Sequence, residues 1–233
     1  MFPENFAVLI VGDPSAGMFE FCCYLGASYL RTGEKLVFVE LNSPPDQVVR
    51  QLEQFGIDSY EHMSSGTFAL VDGYSSPEVG VIEPGIIKVR DTANLEELIE
   101  RVTEGIVKVG GAPVKVLVDS VTPLYMDHED RIVAKFFSAL NSMVKVSGTI
   151  SSVVHGGILK DEQINMLSSM ADGLLEMKVD EGFRRYVRIK HFRGIQVSSK
   201  WVPFDFEFKE DVSGASVLSW RREKPRVDRR DEL

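Results

Sequence analysis

The chain has 233 residues, 44% hydrophobic and 26% charged, with 26 basic against 35 acidic side chains and a net charge of −9. That content excludes disorder throughout, and no apolar run reaches the length of a membrane-spanning helix. Cys22 and Cys23 are adjacent and alone, which is neither a disulfide framework nor a metal-ligand spacing, so a reducing cytoplasm is the expected setting.

The opening MFPENFAVLIVGD lacks a basic stretch before its apolar run and does not read as a signal peptide. The closing Arg-Asp-Glu-Leu is therefore read as chance rather than a retention signal. Residues 221–233 hold six basic and four acidic side chains, leaving 20 basic and 31 acidic in residues 1–220. An acidic body argues against a nucleic-acid groove, so nucleic acid is expected at most through the tail. One domain over 1–220 and a charged, flexible tail over 221–233 are expected.

In chain order, 6–12 (FAVLIVG) is a continuous apolar run, as in a strand buried on both faces. The turn DPSAG leads into a helix ending at Gly33. A second buried strand, 35–41, precedes a helix bounded by prolines and Gly56. A strand at 67–74, a helix at 94–110 and a strand at 114–120 follow. Next come an amphipathic helix at 129–148, a strand at 149–157 and a short helical stretch to Ala171. GLLEMKVD, FRRYVRIKHFRG, SKWVPFDFEFKE and ASVLSW then alternate as antiparallel strands do. The expected fold class is α/β: a mostly parallel sheet with helices on both faces and an antiparallel C-terminal extension.

Strand, Gly-rich turn and helix at the N-terminus form the context of a phosphate loop, G-x-x-x-x-G-K-[ST]. The chain has Gly12-Asp13-Pro14-Ser15-Ala16-Gly17-Met18-Phe19. Both glycines stand at the required spacing, but Met18 replaces the lysine and Phe19 the hydroxyl. With the ordered segments VFVELNSPPDQVVRQLEQFGID, FALVDGY, VKVLVDS, ADG and KHFRG, the chain resembles the RecA-like ATPases across roughly residues 6–208. Within them it resembles the KaiC-like group, and archaeal paralogues lacking the Walker lysine.

The resemblance implies that Asp119 is the Walker B acid and that Asn42 and Ser43 occupy the positions of two acidic residues, one of which activates the attacking water. Glu40, two residues earlier, is expected to face away. Lys190 and Arg193 resemble residues that KaiC-like proteins present to a neighbour's nucleotide, and are inter-subunit candidates. His155 stands where this superfamily often has a polar sensor, although a satisfied strand-end histidine explains it as well. Phe136-x-x-Ala139 is similar to a recombinase contact motif but is read as a core stripe. The four histidines have no metal-ligand spacing.

Loss of the lysine removes a charge-assisted bond of about 1.5–3 kcal/mol, and loss of the base a rate factor of roughly 10²–10⁴. The expectation is a domain without ATPase catalysis, with no cofactor, no metal and no membrane association. Weak ATP or ADP binding and residual activity stay open. In open α/β sheets ligands sit beyond the carboxyl ends of the strands. That rim comprises Asp13–Phe19, Asn42–Pro45 and Ser120–Met126, with Met18, Phe19, Pro44, Pro45, Pro123, Leu124, Tyr125 and Met126 as apolar or aromatic members. It suits a protein or peptide partner, a second copy of the chain included. The ligand-binding candidates are Gly12, Asp13, Pro14, Ser15, Ala16, Gly17, Met18, Phe19, Asp119 and Tyr125. The alternative that Met18 and Phe19 fold back into the core stays open. So does that of a nucleotide-binding or slow ATPase accessory protein, associated with DNA through the tail.

Overall fold

Apolar strands alternate with amphipathic helices along most of the chain. The computed structural model describes residues 2–75, 85–210 and 216–222. The elements are β1 (Ala7–Gly12), α1 (Met18–Arg31), β2 (Lys35–Glu40), α2 (Pro45–Gln54), α3 (Ser59–Ser64), β3 (Phe68–Asp72), β4 (Ile86–Lys88) and α4 (Leu95–Lys108). They continue with β5 (Val114–Asp119), α5 (Leu124–Asp127), α6 (Asp130–Ser147), β6 (Gly148–His155), α7 (Asp161–Met170), β7 (Gly173–Val179), β8 (Arg185–Phe192), β9 (Val202–Glu210) and β10 (Ser216–Arg222).

All ten described strands form one sheet, in the order β10-β9-β8-β7-β1-β6-β5-β2-β3-β4. From β7 to β4 the pairs are parallel; β8, β9 and β10 are added antiparallel. The α/β expectation therefore holds, with one correction. GLLEMKVD, grouped with the antiparallel run, forms β7, which is parallel to β1 with Val8 opposite Gly173. Its alternation arises because α7 covers one face of it only partly: Glu176 is half-exposed and Lys178 exposed.

The parallel strands are buried on both sides, which is why they read as unbroken apolar runs. Phe38, Leu70, Leu117 and Ile10 face α1, α2 and α3, where Cys22, Leu30, Val48, Leu52 and Phe55 complete one core. Val39, Val71, Val118 and Leu9 face α4, α6 and α7, with Val102, Phe137, Leu140 and Leu167. Phe136 belongs to this second core and is 5% exposed, as the core-stripe reading expects. Helix termini follow local chemistry: Asn94 Oδ1 accepts from Glu97 N at 3.1 Å to cap α4, and Asp58 caps α3 through Glu61 N at 2.9 Å.

Three short elements, α3, β4 and α5, were too brief to show periodicity in the sequence. The tail boundary also needs correcting. Arg221 and Arg222 close β10, opposite Asp205 and Phe204 on β9. The rest of the tail, 223–233, lies outside the described residues. Among the described residues no helix is long and apolar enough to cross a membrane.

Candidate functional site

β1 ends at Gly12, and the chain turns through one 3₁₀ turn, Pro14–Ala16, into α1. Asp13 Oδ1 accepts from Ser15 N at 2.8 Å and Ser15 Oγ at 2.5 Å, which fixes the turn. Those bonds, the side-chain one first, hold the Asp13 carboxyl below its ordinary range, so it is charged at neutral pH. Gly17 has φ 76°, in the left-handed region that favours glycine. The loop thus keeps the geometry of its two glycines. Asp13, Pro14 and Ser15 are exposed, while Ala16, Gly17 and Met18 are buried.

Met18 does not line a crevice. It is 1% exposed and packs in the α1-side core. A Cβ built on Gly12 would meet Met177 Cβ at 2.8 Å and Met18 Sδ at 3.0 Å. The absent Gly12 side chain is what lets the thioether tuck against β1 and β7. Phe19 is half-buried and packs against the same core. These positions correct the reading of Met18 as a ligand contact: burial of its apolar side chain competes with exposure on the rim, and burial wins.

Above the loop lies a residue that no local sequence pattern singles out. A Cβ on Gly17 would meet Arg185 Nε at 3.1 Å and Glu20 Oε2 at 3.4 Å. The Arg185 side chain crosses the loop from β8 and donates from Nη1 to Asp205 Oδ1 at 3.0 Å.

Behind the loop, three acids end three adjacent strands in register: Asp72 on β3, Glu40 on β2 and Asp119 on β5. All are at most 1% exposed. They share the α1-facing side of the sheet with Leu70, Phe38 and Leu117, each two residues earlier. Glu40 therefore does not face away, which corrects the expectation. Its Oε1 accepts from Asn42 N at 2.8 Å and Ser43 N at 2.7 Å, tying down the loop after β2. Asp72 does the same for its own loop, accepting from Tyr74 N and Ser75 N. Asp119 differs, because neither of its oxygens has a hydrogen-bond partner among the described residues. Burial, then Asp119, pushes Glu40 up to about 8; burial, then Glu20, pushes Asp119 up to about 7. Among the described residues no group of three or more His, Cys, Asp or Glu is arranged to hold a metal ion.

Tyr125, on α5, is half-buried with its hydroxyl enclosed and without a partner among the described residues, and burial pushes its pKa up to about 12. Beside the loop, a cavity of about 580 Å³ opens between Gly12–Asp13, Gly156–Gly157, α7 and the β7–β8 pair. Trp201 forms part of its wall, with Arg188 4.3 Å and Lys178 4.5 Å from its ring centre.

A family model described as "ATPase: KaiC" matches residues 1–217. The chain belongs to the KaiC family. It is 30% identical to a UPF0273 protein of Aeropyrum pernix over 89% of this chain and 84% of that one. It is 28% identical to a UPF0273 protein of Methanopyrus kandleri, over 87% and 81%. Among solved structures, a KaiC-like protein of Pyrococcus horikoshii OT3 superimposes with a TM-score of 0.69 at 22% identity, covering 94% of this chain and 91% of that one.

Within this KaiC-family fold, Lys190 and Arg193 are both engaged by acids of β7 and of the turn before it. Lys190 Nζ donates to Glu176 Oε1 at 2.7 Å, and Arg188 bonds the same carboxylate. Arg193 Nη1 donates to Asp172 Oδ1 at 2.8 Å, and Lys145 pairs with that acid at 2.5 Å. Both inter-subunit candidates are thus held within their own chain. Burial opposes charge on Asp172, yet Lys145, Ala7 N–H and Arg193 keep its carboxyl below the ordinary range. His155 ends β6 at 9% exposure; burial lowers its pKa, and its backbone N–H donates to Thr122 Oγ1 at 2.9 Å. A charged residue closing the apolar run KLVFVE was the signal available for Glu40. For Arg185, whose reach across the loop depends on tertiary placement of β8, the sequence held no signal.

Proposed function

We propose that this KaiC-family chain has lost ATP hydrolysis and acts as a binding domain, taking a protein or peptide partner on the rim at the carboxyl ends of its parallel strands. The observation that carries the reading is Met18. The position that should extend a cation toward phosphate instead holds an apolar side chain packed into the core. Magnesium nucleotide is further disfavoured by Phe19 in the hydroxyl position and by the charged Asp13 on the loop.

The partner half of the proposal draws on the same end of the sheet. Tyr74, Ile158 and Phe183, in loops that leave β3, β6 and β7 there, and Met126, on α5 after β5, are 51%, 62%, 87% and 86% exposed. Exposed Met and aromatic groups supply adaptable contact area to a protein surface.

Calorimetry with Mg-ATP and a turnover assay test the first half. Affinity weaker than about 100 µM and no turnover above a buffer blank are expected, since a charge-assisted bond alone is worth roughly 10–100-fold. Micromolar binding with steady turnover overturns it. Hydrogen exchange with a co-purifying partner tests the second half, with protection expected at 13–15 and 123–126.

A second reading has its own support. Arg185 crosses the loop at Gly17, and Glu40 sits beside Asp119, so a cation and a second carboxylate stand near the positions that the motif lacks. A nucleotide-binding or slow ATPase chain would use them. Tight ATP binding lost on Arg185→Ala is the result that would favour it.

A further inference from the structure

Lys115 interrupts the apolar run of β5, and its side chain is only 8% exposed. A buried ammonium carries three donors and needs acceptors for them. Among the described residues it pairs with Glu34 Oε1 at 3.7 Å, an ion pair longer than a hydrogen bond, and the Tyr29 ring centre is 5.7 Å away. Glu34 is equally incomplete: its Oε2 is enclosed and has no partner among the described residues. Burying a charge pair is unfavourable unless further bonds satisfy both groups, and among the described residues this pair is held at ion-pair distance with Glu34 Oε2 left without a partner.

Beside the pair lies a cavity of about 240 Å³, at the amino ends of β2 and β5 and so at the opposite pole from the Gly12–Gly17 loop. Its walls are Glu4, Gly33, Glu34, Lys35, Pro113 and Lys115. Lys35 Nζ is anchored to Gly110 O at 2.9 Å, which fixes a second cation on the wall. The four charged walls balance, two of each sign, with acid and base facing the same space.

We propose that this cavity binds a small zwitterion of the amino-acid class, its carboxylate taken by Lys115 and its ammonium by Glu34. The size agrees: at the roughly 30 Å³ that a water occupies in the liquid, the space holds about eight atoms of that size. The charge agrees as well, because a net-neutral site with separated charges favours a net-neutral ligand with charges separated in the opposite sense. A simple anion would leave Glu34 unsatisfied and a simple cation would leave Lys115 so. The site is independent of the proposed partner surface.

The test is thermal melting of the full chain with each of the twenty amino acids, with butyrate and butylamine as one-charge controls. A ligand at 100 times its dissociation constant raises the melting temperature by roughly 5–10 °C in a protein of this size. At least one amino acid is expected to give a saturable rise, with both controls at least ten-fold weaker by calorimetry. Lys115→Met keeps the stem and removes the ammonium, and should abolish the rise. Glu34→Gln should weaken binding at least ten-fold and serves alone if Lys115→Met fails to fold. The proposal is overturned if no amino acid raises the melting point, if butyrate matches the best of them, or if Glu34→Gln binds like the parent. Density showing only ordered water in the cavity at saturating ligand also overturns it.

Discussion

Glu40 and Asp119 stand opposite each other on neighbouring strands, both buried, and Asp119 makes no hydrogen bond through its carboxylate among the described residues. Their folded pKa values, about 8 and about 7, lie above the ordinary 4.5 and 3.8. Between those limits the folded chain binds more protons than the unfolded one. Stability is therefore fullest below pH 4 for this pair and falls as pH rises through 5–8, by roughly 1.4 kcal/mol per pH unit for each proton held. Glu40→Gln keeps an oxygen for Asn42 N and Ser43 N while removing one titration. Urea unfolding from pH 5 to 8.5 should show a shallower decline in the variant. An identical slope would mean that Glu40 is charged in the folded chain.

The buried state of Met18 is tested by size and charge. Met18→Leu should cost less than about 1.5 kcal/mol, because volume and polarity are conserved. Met18→Lys should cost more, about 2–4 kcal/mol, since the ammonium must be desolvated or the thioether's packing with Met177 lost. Equal stability of the two variants would place this side chain in solvent.

Gly12→Ala forces a Cβ to within 2.8 Å of the Met177 backbone oxygen, where a flexible side chain cannot yield. A loss of about 1–3 kcal/mol is expected from chemical denaturation. Gly33→Ala, where a Cβ meets nothing within 4 Å but φ is 76°, isolates the backbone term at about 1 kcal/mol.

Asp172 should dominate over its partners. Asp172→Ala strands Lys145 and the Ala7 N–H and is expected to cost about 3–5 kcal/mol. Arg193 has a side chain 65% exposed, and Arg193→Ala should cost under about 1 kcal/mol. Comparable losses would show that the exposed arm of the network carries more than its geometry suggests.

Phe183 occupies the tip of the β7–β8 turn at φ 58°, a conformation unfavourable for a bulky residue. Its side chain is 87% exposed, so little packing offsets the strain. Phe183→Gly is expected to leave stability unchanged or raise it by up to about 1 kcal/mol in a thermal melt. A clear loss would reveal a contact for the ring.

The strands most legible in the sequence were those buried on both faces, because their apolar runs have no competing interpretation. Helix ends at Gly33 and Gly56 were equally readable, since the left-handed conformation selects glycine. The parallel pairing of β7 was not readable: alternation reports one-sided exposure, not direction. At the site, the glycine spacing marked the loop and Asp119 marked the strand end. The orientation of Glu40 depended on which face of β2 meets α1, which local sequence leaves undetermined. Arg185 reaches Gly17 across more than 160 residues of chain, and such contacts leave no local pattern.

The order of strands also constrains when the molecule can form. β1 precedes the other described strands in the chain and sits between β6 and β7, with Ala7 opposite Ile150 and Val8 opposite Gly173. At roughly 5–20 residues per second on a ribosome, this apolar segment waits on the order of ten seconds for its first neighbour. The sheet's centre therefore closes late, by insertion between partners made long afterwards. Slow, long-range closure of that kind exposes the nascent β1 segment to chaperones and to other unfinished chains.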